Sequence, residues 1–327
     1  MSEHKEGLGM KTNPNGAPDC YDGRLNADEV VQLNRAAYEI RRHATRIISM
    51  NRWGHIGGSY SLAEILAVLY GKAANVHPDG TASPVRDRIV LSKAHCSPAL
   101  YAALFLYGFL PEEALYTYGQ AGGLDGHIHR GNPAAVECSG GSLGLGLSYC
   151  AGLASALKLK ENFQSRVYCL LGDGELNEGE IWEAALFAAQ YRLDNLIVIV
   201  DNNRVMAKGA TNENMRVMPV ADKFESFGFC VQSCDGHQVE ALWNAMYQAR
   251  YVLNCAKPNV IVANTVKGRG VAECEFNYRW HTHAPDIDTA NRFLRELADK
   301  WDEPFAPIER YAKEADRGLP GAAEVGG

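Results

Sequence analysis

Asp173 and Asn203 are the residues whose type and spacing best suit holding a metal ion. Asp173 stands in Leu170-Leu171-Gly172-Asp173-Gly174, and Asn203 closes Ile197-Val198-Ile199-Val200-Asp201-Asn202-Asn203, each directly after a short apolar run. Magnesium takes about six oxygen ligands, commonly one or two from carboxylates and the rest from phosphates and water. Asp173 offers charge, Asn203 a neutral oxygen, and a backbone carbonyl just beyond, that of Val205, completes the protein's share. Gly172 and Gly174 let the backbone approach a phosphate closely, and the first free amides of a following helix favour an anion. The chemistry implied is that of a ligand bringing its own diphosphate, held through Mg²⁺.

The elements that must position these groups read as strand, helix, strand. Arg166 to Leu171 and Leu196 to Val200 are β-rich runs of the kind buried on both faces, and Glu178 to Tyr191 between them is rich in Ala, Glu, Leu and Gln. A crossover helix returns the chain in the same direction, so the strands are expected to be parallel neighbours with Asp173 and Asn203 at the carboxyl edge. Further strands are expected at Arg88 to Leu91, Gly228 to Ser233 and Val260 to Thr265, with Lys267 to Gly270 as a loop on the same edge. Asn26 is placed to cap a long helix, Ser61-Leu-Ala-Glu64 reads as a capping box opening a second, and Asp235 as the cap of a helix running to about Leu253. Pro98 to Tyr107 reads as a helix buried all round, Leu147 to Lys160 as a helix of small residues suited to close packing, and Asp288 to Trp301 as a last amphipathic helix. The fold class is α/β: a doubly wound, mostly parallel sheet flanked by helices. One domain is expected over residues 25–313, between flexible tails at 1–24 and 314–327.

Composition narrows the function. A net charge of -7 over 327 residues lacks the basic footprint of a nucleic-acid binder. The nine cysteines include no Cys-x-x-Cys pair, which points to free thiols in a reducing cytoplasm rather than disulfides or zinc. Neither a signal peptide nor an apolar run of the ~18 residues a membrane span needs is present.

Five histidines lie beside Gly or Ser or in short polar loops of the kind that line clefts: His55, His95, His127, His281 and His283. Around them five motifs occur in order. They are Gly54-His-Ile-Gly-Gly-Ser59, Asp87-Arg-Ile-Val-Leu-Ser-Lys93, Ser139-Gly-Gly-Ser-Leu-Gly144, Gly172-Asp-Gly-Glu-Leu-Asn-Glu-Gly179 with Trp182-Glu-Ala184, and Thr265-Val-Lys-Gly-Arg-Gly270. Together they resemble the amino-terminal subunit of split transketolases, the part that binds thiamine diphosphate. The resemblance implies Asp173, Asn203 and the Val205 carbonyl on Mg²⁺, Gly172 and Gly174 at the diphosphate, and Gly141 with the Leu143 main chain at the rest of the cofactor. It implies His55, His95, His127 and His281 at the sugar hydroxyls and in proton transfer, and Glu178 at the interface linking two cofactor sites. By register His281 is preferred to His283. Two stretches depart from the family pattern: Arg204-Val-Met-Ala-Lys-Gly209, where relatives show a glycine after the asparagine, and residues 127–133.

In this family the glutamate that activates the cofactor lies in a separate pyrimidine-binding domain, which follows the diphosphate domain in full-length transketolases. The resemblance therefore implies a C-terminal partner subunit supplying that domain and its glutamate, in an α2β2 heterotetramer acting on sugar or sugar phosphate substrates, with neither nucleic acid nor membrane as partner. The expected activity moves a two-carbon ketol unit from a ketose to an aldose. The alternatives are the alpha subunit of a 2-oxo acid dehydrogenase, disfavoured by the histidine set, and a binding module of the same fold without activity.

Overall fold

In the computed structural model, residues 23–253 and 255–308 are described, so nearly all of the two expected tails, and residues 309–313 of the expected domain, lie outside the described residues. Among the described residues the strands are β1 (Arg88–Leu91), β2 (Val167–Gly172), β3 (Leu196–Asn202), β4 (Val205–Met206), β5 (Gly209–Ala210), β6 (Cys230–Asp235) and β7 (Asn259–Asn264). Five of them form one sheet in the order β1-β2-β3-β7-β6, and every pairing in it is parallel. Beside it, β4 and β5 make a small antiparallel hairpin.

The helices are α1 (Ala27–Asn51), α2 (Ile56–Ser61), α3 (Ala63–Val68), α4 (Ser97–Leu106), α5 (Glu112–Leu115), α6 (Leu145–Leu159), α7 (Gly179–Gln190), α8 (Thr211–Asn214), α9 (Val220–Ser226), α10 (Val239–Tyr247) and α11 (Ile287–Asp299). Alternation along the strands sends side chains to both faces of the sheet. Tyr168, Leu170, Ile197, Ile199 and Ile261 enter the core with α1, α3, α4 and α10. Val167, Cys169, Leu171, Val198, Val200 and Val260 enter the other, with α6, α7 and α9. Strands covered on both sides must be apolar throughout, which is why β2 and β3 are buried along their whole length.

Local chemistry explains most element ends, with three corrections. Asn26 caps α1 in a reciprocal capping box with Glu29. Ser61 and Glu64 form no such box. The Ser61 hydroxyl donates to Asp201 at 2.7 Å, and Glu64 is buried against Arg41 and His237 at 2.6 and 3.0 Å, so tertiary partners claim both side chains. Asp235 does not cap α10, since its carboxylate accepts from the His237 amide and the helix starts after Gln238. Cys230 and Cys255 form a disulfide, against the expectation of free thiols throughout. Cys230 lies opposite Asn259 on the neighbouring strand, so the turn entering β7 brings Cys255 beside it, a proximity that spacing along the chain does not show.

At the amino edge of the sheet, away from the candidate site, buried Asp87 accepts from the Asn75 and Arg166 amides, both at 2.7 Å, and pairs with Arg250. Asp87→Ala leaves the largely buried Arg250 guanidinium with only the Tyr168 hydroxyl at 3.2 Å and strands two amides. It is expected to lower unfolding free energy by about 3 kcal/mol in urea titrations, and a loss below about 1 kcal/mol contradicts this account.

Candidate functional site

Four strand ends converge at the carboxyl edge. β1 leads into Ser92 and Lys93, β2 into Asp173, β3 into Asp201 and Asn203, and β7 into Thr265 and Lys267. Asp201 is fully buried and is the hub. It accepts from Lys93, from Thr265, from Ser61 and, at 3.0 Å, from Nδ2 of Asn203. Burial pushes its carboxyl up, but Lys93 together with the Ser61 and Thr265 hydroxyls outweighs that and holds it below the usual carboxylate range. With Nδ2 of Asn203 held by Asp201 and Ser61, Oδ1 is turned the other way, where it accepts from the Val205 amide at 3.1 Å.

Asp173 is buried beside this group. One carboxylate oxygen accepts from the Arg204 amide at 2.6 Å and the Thr211 hydroxyl at 3.0 Å, and the other accepts from the Gly174 amide at 2.8 Å. Burial, then repulsion from Asp201, raises its pKa. A carboxylate in that position is relieved by a cation. The donor chemistry of Asp173, Asn203 and the Val205 carbonyl is all oxygen, which suits a hard divalent ion. The Val205 carbonyl already accepts from the Lys267 ammonium at 2.8 Å, and its second lone pair leaves room for another partner. Among the described residues no group of three or more His, Cys, Asp or Glu is arranged to hold a metal.

The departure after Asn203 has a structural solution. Arg204 takes φ +64°, the left-handed conformation for which glycine is the usual residue, and its amide is tied to Asp173. The chain then folds back as the β4–β5 hairpin, whose Met206 Cβ would lie 3.1 Å from a Cβ at Gly174. A side chain at position 174 therefore presses on the hairpin.

The structure brings His55, His95, His127 and His281 into one cluster. The His55 ring lies 5.1 Å from His95, 5.9 Å from His127 and 5.4 Å from His281, and His95 lies 5.1 Å from His281. His283 is exposed, with its ring packed on Trp280 rather than on the other histidines. Burial and neighbouring positive charge keep the cluster neutral. His55 is lowered to about 4 by burial, His127 and Lys267, and His281 to about 3 by burial and Lys267. His95 falls well below its usual value through burial and Lys93, and His127 is lowered by burial.

Glu178 stands apart, exposed as the residue before α7, with Gly144 packed so closely that a Cβ there would lie 2.9 Å from that of Glu178. Gly141 is exposed, and Leu143 is half-buried on the loop before α6. Sequence reasoning missed several members. Buried Glu175 accepts from Ser92 and from the amides of Gly144 and Gly172, both at 3.0 Å, and so joins the two glycine loops. Lys93, Asp201 and Lys267 were missed as site residues too. A charged residue next to or within a wholly apolar run was the available signal. Trp53, 41% exposed, packs on His55 and His127 at the rim.

Fold and strand-end chemistry together define a cofactor-binding α/β domain of the thiamine diphosphate type. The chain matches the family described as "Transketolase, thiamine diphosphate binding domain" over residues 32–317. It is 39% identical to the 6-deoxy-6-sulfo-D-fructose transketolase subunit SqwG of Clostridium sp. (strain MSTE9), over 76% of this chain and 90% of that protein. It is 37% identical to an apulose-4-phosphate transketolase subunit of Actinobacillus succinogenes, over 82% of this chain and 97% of that one. The crystal structure of Campylobacter jejuni transketolase superposes with a TM-score of 0.77 at 28% identity, covering 90% of this chain and 46% of the other. The chain belongs to the transketolase family. It spans less than half of that solved transketolase and nearly all of the two subunits.

The neutral cluster makes stability depend on pH. Unfolded, these histidines protonate near 6.5, whereas in the fold His43, lowered by burial and Arg46, and His281 do so near 3 and His55 near 4. Below 6.5 the unfolded chain binds more protons, so stability is complete above that pH and declines as pH falls toward 4. Each histidine contributes at most about 1.4 kcal/mol per pH unit. The urea midpoint is expected to drop between pH 7.5 and 5.5, less so in His55→Gln. A midpoint that stays flat or rises on acidification shows that the cluster is not held neutral.

Proposed function

We propose that this chain is the cofactor-binding subunit of a two-subunit transketolase that moves a two-carbon ketol unit from a ketose to an aldose. The observation that carries the reading is the neutral four-histidine cluster beside a buried carboxylate and carboxamide at one sheet edge. Bound thiamine diphosphate supplies a nucleophilic carbon and an electron sink for cleaving the bond next to a ketose carbonyl. Everything else falls to the protein. Asp173, the Asn203 carboxamide and the Val205 carbonyl hold Mg²⁺, and Gly172 and Gly174 give the diphosphate close access to the backbone. Gly141 and the Leu143 main chain meet the remainder of the cofactor.

Neutral imidazoles both donate and accept, so His55, His95, His127 and His281 can orient substrate hydroxyls and pass protons without a fixed charge. Two relatives are named for a sulfonated and a phosphorylated sugar, and we assign an anionic ketose as the donor class here. A C-terminal subunit supplies the pyrimidine-binding domain and its glutamate, in an α2β2 assembly in the cytoplasm. The exposed apolar side chains of Leu145 on α6, Leu186 and Phe187 on α7, and Tyr191 just beyond, together with outward-facing Glu178, support that partnership.

Asp173→Ala is expected to weaken Mg²⁺-dependent binding of thiamine diphosphate by at least about 100-fold in calorimetry of the assembled complex while leaving the circular dichroism spectrum unchanged. Equal affinity in wild type and variant refutes the metal assignment. Ketose cleavage, followed as aldose release, is expected only when partner, Mg²⁺ and cofactor are all present. Full turnover by this chain alone would sink the two-subunit reading.

A further inference from the structure

Lys267 is almost completely buried just beyond β7, and its ammonium makes two contacts of 2.8 Å, one to the Val205 carbonyl and one to Nδ1 of His281. An ammonium has three donors and no acceptor, so in the second contact Nδ1 must accept. A neutral imidazole carries one ring proton, and with Nδ1 accepting, that proton sits on Nε2. The lysine cannot readily swing away. A Cβ at Gly57 would lie 3.2 Å from both Cγ and Cε of Lys267, so α2 closes over the stem, and the Gly268 amide donates to the Gly57 carbonyl at 3.0 Å. No comparable contact fixes His55, whose Nδ1 is buried without a hydrogen-bond partner.

We infer that Lys267 is a positioning residue that sets His281 in its Nε2–H tautomer, so that this member of the cluster presents a donor to a substrate hydroxyl. The same ammonium ties that setting to the β4–β5 hairpin through Val205. Placement of the metal-side loop and orientation of the histidine then depend on one side chain. The substrate-side part of this inference rests on the proposed function, while the tautomer itself does not.

The first experiment is a long-range proton–nitrogen correlation spectrum of the full chain labelled with ¹⁵N in its histidines, recorded at neutral pH, with His281→Gln assigning the signal. Wild type is expected to show His281 protonated on Nε2 with Nδ1 in the hydrogen-bonded acceptor range. Lys267→Met, close in length but without a donor, is expected to shift it to a tautomer mixture, and Lys267→Arg to keep the wild-type pattern. An Nδ1-protonated His281 in wild type overturns the inference whether or not any variant folds, and so does a wild-type pattern that persists in folded Lys267→Met. The second experiment uses the assembled complex with saturating cofactor and Mg²⁺. Lys267→Met is expected to raise KM for the ketose about tenfold, the loss of one hydrogen bond to a substrate, with Lys267→Arg restoring it. An unchanged KM with lowered kcat overturns the donor role. Should the spectra be as expected while the complex cleaves no ketose, the tautomer assignment stands and the functional reading fails.

Discussion

The buried carboxylate of Asp201 is the constraint on which the carboxyl edge of the sheet depends. A charge with no solvent exposure is costly unless paired and hydrogen-bonded, and here one ammonium, two hydroxyls and a carboxamide satisfy it. Those four donors come from the loop after β1, from α2, from the loop after β7 and from the residue after β3. A single acceptor therefore draws three segments distant in the chain, with its own strand end, to one point. The cost of ionising a group there is met only when all of them are in place, which gives the edge one arrangement rather than several.

That arrangement has consequences for chemistry. Asn203 is turned so that its oxygen, not its nitrogen, is free of the hub. Asp173 is buried and lies close enough to feel the repulsion of Asp201, and both raise its pKa. Lys93 is consumed by its ion pair, whereas Lys267, lowered to about 8 by burial and by Lys93, stands between the hairpin and the histidines. Positive charge from both lysines then helps keep the imidazoles neutral. Charge at one end of the site thus lowers proton affinity at the other, through buried lysines packed against partly buried histidines.

Glu175 does for the glycine loops what Asp201 does for the strand ends. Its carboxylate bridges the amides of Gly144 and Gly172 and the hydroxyl of Ser92, so the end of β2 and the turn before α6 are tied together. On the outer side, α6 and α7 carry apolar side chains that nothing in this chain covers among the described residues.

How much of this was legible in the sequence follows from the range of the forces involved. The parallel pair β2 and β3, the helix between them, the cap at Asn26 and the placing of Asp173 and Asn203 at the carboxyl edge come from local pattern, because apolar periodicity and turn chemistry act over a few residues. The ordered motifs also identified the histidines. What pattern could not show is partnership. Ser61 and Glu64 have the spacing of a capping box, yet Asp201 and Arg41 hold them, since a buried charge outweighs a local cap. Cys230 and Cys255 meet only because β6 and β7 are neighbours in the sheet. Glu175 and Lys267 are ordinary polar residues in the sequence and become central only when folding removes water from around them. Residue order was enough for the main elements, the strand-end carboxylate and carboxamide, and the family. Which charges pair and which stay open to a ligand was settled by packing, because burial sets both energies, and burial is a property of the packed whole.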